Sequence, residues 1–97
     1  MSNFRLTRQA EDDLLDIFLY GIEQFGRAQA LHCKDDLDRC FAALVHSPRM
    51  GRLAPALGET VRRHEHASHV ILYEIEDGGG ILILAIVHGR SIRHLKI

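Results

Sequence analysis

Apolar positions change their spacing along the chain, and each change predicts an element. After Thr7, whose side chain is suited to cap a helix, Ala10, Leu14, Ile17, Phe18 and Phe25 recur at three and four, and Leu15, Leu19 and Ile22 widen the stripe. This predicts a helix from Arg8 to about Gln24, ended by Gly26. A second stripe of Ala30, Cys33, Leu37, Cys40, Phe41 and Leu44 predicts a helix from Arg27 to about Val45, closed by Ser47 and Pro48. So short a break makes the two an antiparallel hairpin. Val70–Ile75 and Ile81–Val87 are runs rich in β-branched residues joined across Glu76–Gly80, which is a β-hairpin signal. The second run has no polar residue, so it belongs inside a sheet with both faces covered. Arg62, His64 and His66 alternate with Val61, Arg63 and Glu65, the pattern of an edge or solvent-facing strand, and Phe4–Leu6 is a short extended start.

The order is strand, two helices and three strands. It predicts one α+β domain over residues 1–97, with a helical hairpin on one face of a small antiparallel sheet. If the first strand pairs with the last long one, the sheet has four strands. Residues 47–60 form the long irregular segment, with both prolines and an exposed Arg49 and Arg52, and Ile92 and Leu95 in the tail are expected to pack on the core. The opening residues lack the apolar core of a signal peptide and no segment is apolar enough for a membrane span, so the expected location is the cytoplasm. Cys33 and Cys40 lie two helical turns apart, about 10 Å, which is too far for a disulfide.

Net charge is −1, but residues 11–38 carry eight acids against two bases, whereas residues 39–97 carry eight bases against five acids. An acidic helical half and a basic strand half argue against a simple nucleic-acid binder and leave room for a local basic patch.

Among seven histidines, His64, His66 and His69 are the densest group, but no carboxylate or thiolate is placed to complete a site, so no metal is assigned. Arg62, Arg63, His64, Tyr73, His88, Arg90, Arg93 and His94 all come from strands or their ends. Such a set has the chemistry of a metal-free ribonuclease: base, acid and charge-stabilising guanidinium. The plainer account is arginines solvating an edge strand and a packed tyrosine. The first helix is apolar on nearly every side, which fits either a buried helix or a surface covered by a partner beside an open sheet edge.

FRLTRQAEDDLLDI at the start, QFGRAQA between the helices, SPRMGR, VRRHEHASHVILYEI and ILAIVHGRS together span nearly the whole chain. In their order and spacing they resemble the ParE branch of the ParE/RelE toxins of bacterial toxin–antitoxin pairs. The resemblance implies a toxin that inhibits DNA gyrase, a ParD-like antitoxin partner, operator DNA reached only through that antitoxin, no membrane and no cofactor. It carries over no catalytic residue. Target contact is expected at Arg62, Arg63, His64, Tyr73, His88, Arg90 and Arg93, and antitoxin contact at Leu14, Ile17, Phe18, Leu19, Ile22 and Phe25. Two alternatives stand beside it: a RelE-like ribosome-dependent messenger-RNA endonuclease, poorly served by a chain with only Lys34 and Lys96, and an inactive homologue serving as a binding module with the antitoxin. Ser91 and Ile92 replace a methionine and aspartate common in relatives after the late histidine, and Ala67 replaces a common glycine, a change expected to be tolerated.

Overall fold

The computed structural model describes residues 3–89. Strand β1 (Phe4–Leu6) leads into α1 (Arg8–Phe25) and α2 (Arg27–His46), then a 3-10 turn (Pro48–Met50), β2 (Arg52–Leu53), β3 (Arg62–His66), β4 (His69–Ile75) and β5 (Ile81–His88). Thr7 caps α1 by accepting from the Ala10 amide, and Gly26 ends it at φ 88°, a conformation that costs glycine little. That single residue separates the helices and produces the predicted hairpin. Cys33 and Cys40 are both free.

The sheet order is β1-β5-β4-β3-β2. Three features correct the sequence expectation. β1 pairs with β5 in parallel, so the sheet is mixed rather than antiparallel. A fifth strand, β2, emerges from the segment expected to be irregular and pairs Arg52 with Arg63 and Leu53 with Arg62, so β3 is flanked on both sides over those two residues. The β4–β5 ladder also shifts register: Leu72 faces Ala85 but Tyr73 faces Ile83, leaving Leu84 as an extra residue.

That bulge sets which residues of β5 face the helices. Ile81, Ile83 and Ile86 join Ile71, Tyr73, Leu37, Phe41 and Leu44 in the larger core, while Leu84, Ala85 and Val87 pack on the second face with Val70 and Leu72. Ala54, Leu57 and Val61 from the loop before β3 cover that second face, which explains how a strand apolar on both sides is accommodated. The start of α1 satisfies the backbone groups at the bulge. The Thr7 hydroxyl donates to the Leu84 carbonyl at 2.7 Å, and Asp13 Oδ2 accepts from the Ile86 amide at 2.9 Å. Part of the acidity of α1 thus serves to fasten it to the sheet.

Candidate functional site

The cross-strand register places the candidate polar residues on definite faces. Arg62 stands opposite Tyr73, His64 opposite Ile71 and His66 opposite His69, so Arg62, His64 and His66 share the helix-facing side. Arg63 points to the other side. There it lies across from Arg52, and Glu65 bridges the two at 3.0 and 3.2 Å. Arg63 Nε is buried without a hydrogen-bond partner among the described residues.

Tyr73 is fully buried. Its hydroxyl donates to the Pro48 carbonyl at 2.6 Å and accepts from the Gly51 amide at 2.9 Å, and Arg62 Nη1 donates to the Gly51 carbonyl at 2.8 Å. Burial pushes the phenol pKa up against the opposing pull of the Gly51 amide. Tyr73, expected among the target contacts, has its hydroxyl occupied and no exposed surface in this structure. Its work is to hold the turn carrying SPRMGR. Gly51 is required there, because a Cβ would overlap the Tyr73 hydroxyl and stand 2.8 Å from the Arg63 carbonyl oxygen.

At the other end of the same strands, His66 pairs with His69 and His69 with His88, forming a row of three histidines across β3, β4 and β5. The two-residue turn at Ala67 and Ser68 is tight enough to return His69 to the face of His66, a proximity the sequence reading did not anticipate. The rings of His69 and His88 meet edge to face with centroids 5.8 Å apart. Burial, then the neighbouring His88 and His66, hold the His69 pKa below the ordinary value. His64 is also lowered, by burial and by His66, against the opposing effect of Glu65. Among the described residues no group of three or more His, Cys, Asp or Glu side chains is arranged to hold a metal ion.

His69 and His88 of this row open onto a groove of about 560 Å³ between the helical hairpin and the ends of β4 and β5. Ile17, Tyr20, Phe25 and Ile86 supply apolar walls, and Asp13 and Asp16 stand among them. The exposed surface of α1 is strongly apolar: Leu15 is 55% exposed and Leu19 52% outside the groove, and Tyr20 62% and Phe25 67% on its wall. Of the residues expected to meet an antitoxin, Leu19 and Phe25 are therefore open. Leu14 and Ile17 are partly buried against the core and hold α1 to the sheet, while Phe18 and Ile22 are half-buried. Leu15 and Tyr20, equally exposed, were not among the expected contacts. Their outward placement on the helix was the available signal, obscured by a stripe too wide to reveal which side meets the sheet.

The predicted target set is thus dispersed. Arg62 and His64 lie on one face, Arg63 on the other, Tyr73 in the core and His88 at the far end, while Arg90 and Arg93 lie outside the described residues.

Residues 4–93 match the family model described as the ParE toxin of the type II toxin–antitoxin system parDE. The chain is 31% identical over 88 residues to Toxin ParE1 of Caulobacter vibrioides, covering 91% of this chain and 90% of that protein. Its backbone is similar to a structure of the chromosomal ParDE TA system from P. aeruginosa, with a TM-score of 0.70, 26% identity, and coverage of 91% of this chain and 96% of that one. The RelBE2 toxin–antitoxin complex of Mycobacterium tuberculosis shares the fold, with a TM-score of 0.60 at 21% identity over 90% of this chain and 96% of that one. Five ordered sequence segments, the helical hairpin on its sheet and these likenesses agree: the chain belongs to the ParE toxin family of type II toxin–antitoxin systems.

Proposed function

We propose that this toxin inhibits DNA gyrase in the cytoplasm and is neutralised by a ParD-like antitoxin that covers α1 and its groove. The observation carrying the antitoxin reading is the exposed apolar surface of α1, Leu15 and Leu19 together with Tyr20 and Phe25 of the groove wall. A surface of this kind, at this size of chain, marks an interaction site rather than a finished exterior. Operator DNA is reached through the antitoxin alone, in keeping with the acidity of the helices.

Action by binding, rather than by RNA cleavage, is supported by the dispersal of the arginine, histidine and tyrosine set. A ribonuclease needs its base, acid and guanidinium around one reacting phosphate. Here Tyr73 is consumed by the turn and Arg63 faces away from Arg62. Arg62, His64 and His88 remain as target contacts on the helix-facing side, with Arg90 and Arg93 following His88 in sequence.

Purified toxin is expected to block gyrase supercoiling of relaxed plasmid, with relief when the co-expressed antitoxin is added. Unaffected supercoiling at a large excess of toxin overturns the gyrase reading. Ribosome-dependent cuts in primer extension would establish the endonuclease instead.

A further inference from the structure

The two helices treat their acids differently. On α2, Lys34 pairs with Asp38 at 3.3 Å, and Arg39 at 3.4 Å and His32 at 3.8 Å both reach Asp36. On α1 five acids accompany one base, Arg8, and Glu11, Asp12, Asp16 and Glu23 form no ion pair with any described residue. The helix dipole accounts for Glu11 in the first turn but not for Asp16 or Glu23 further along. Asp12 and Asp16, one turn apart, repel each other and weaken the isolated helix slightly.

These acids border an apolar seam. Leu15, Leu19 and Ile22 follow one another at four and three, the spacing by which one helix packs along another, and Leu15 and Leu19 are more than half exposed. Asp12, Asp16 and Glu23 fall together along one side of the seam and Glu11 along the other, positions from which side chains reach across to a partner helix. A second copy of this chain presenting the same face would set acid against acid.

We infer that the segment closing over α1 is a basic amphipathic helix of the antitoxin, seated on Leu15, Leu19 and Ile22 and pairing Lys or Arg with Asp12, Asp16 and Glu23. This rests on the antitoxin reading above and adds the charge and register of the partner. Pairing at the margin of an apolar seam contributes modestly to affinity and strongly to the choice of partner and to its dependence on salt.

The test uses the full toxin and the protein encoded by the adjoining reading frame, titrated at low and high sodium chloride. The combined D12N/D16N/E23Q variant is expected to bind about tenfold more weakly at low salt and to lose most of its salt dependence, as the removal of three marginal ion pairs implies. Glu23→Lys is expected to weaken binding further than Glu23→Gln. Thermal melts of each variant separate loss of contact from loss of fold. A complex whose affinity is unchanged or improved by neutralising the acids overturns the basic partner and leaves the antitoxin reading standing. Absence of any complex overturns both, and a free toxin that dimerises until Leu15 and Leu19 are replaced makes a second copy the occupant.

Discussion

At the Tyr73 end of strands β3 and β4 a buried hydroxyl is used up by the fold, whereas at the His69 end three histidines stand in a row beside a groove. Tyr73, Gly51, Pro48 and Arg62 are joined by hydrogen bonds of 2.6 to 2.9 Å. Four strand pairs away in register, His66, His69 and His88 stand side by side, and His69 and His88 line a groove together with Asp13 and Asp16 of α1. One set of strands thus presents a locked end and a titratable end. The difference teaches that polar side chains on the helix-facing side of a sheet carry information about function only after the backbone's demands on them have been counted.

The strongest way to break the locked end is Gly51→Ala. The new methyl would collide with the Tyr73 hydroxyl and approach the Arg63 carbonyl, both held by the sheet. A loss of about 3 kcal/mol is expected, at the upper end of overpacking costs, readable as a lower urea midpoint. Tyr73→Phe removes only the hydroxyl and leaves the Gly51 amide and Pro48 carbonyl to find other partners. It is expected to cost about 2 kcal/mol by the same measurement. Gyrase inhibition per folded molecule should be unchanged in Tyr73→Phe, since the ring has no exposed surface. A specific loss of inhibition in a fully folded variant would restore Tyr73 to target contact.

The titratable end is probed by pH. His64 and His69 have folded-state pKa values held below 6.5, chiefly by burial. The unfolded chain therefore takes up protons before the folded one. Stability from these groups is complete above about pH 6.5, declines as the pH falls below it, and is fully lost beneath the lowered folded-state values. The melting temperature of the free toxin is expected to fall between about pH 7 and pH 5. In His69→Gln that fall should be shallower; an equal slope would place the pH sensitivity elsewhere.

Much of this architecture was legible because its signals are local. The helical stripes, the Gly26 break and the glycine-rich hairpin each reside in contiguous residues, and each element formed near its expected bounds. Alternation along β3 also separated Arg62, His64 and His66 from Arg63 correctly, although the candidate set then mixed the two faces. What sequence withheld depends on distant partners. The Leu84 bulge is fastened by Thr7 and Asp13, more than seventy residues away, as their separations of 77 and 73 record. β2 exists only because Arg62 and Arg63 offer it an edge, and nothing near Tyr73 announces that its hydroxyl will meet Pro48 and Gly51.

The smallest effect belongs to the turn that brings the histidines together. Ala67 has φ 54°, the only non-glycine positive value among the described residues, at the first position of the two-residue connection between His66 and His69. An L-residue there brings its Cβ close to the carbonyl oxygen, which costs about 1–2 kcal/mol. Glycine would remove it but has more freedom to lose on folding, an opposing cost of about 0.4–1 kcal/mol. The difference leaves Ala67→Gly more stable by about 0.5–1 kcal/mol, measured as an increased urea midpoint with an unchanged slope. Because the substitution touches neither the histidines nor their register, the pH dependence should keep its shape while the whole curve rises. A rise confined to low pH would instead mean that Ala67 governs how closely the imidazoles approach one another, coupling turn strain to titration at this end of the sheet.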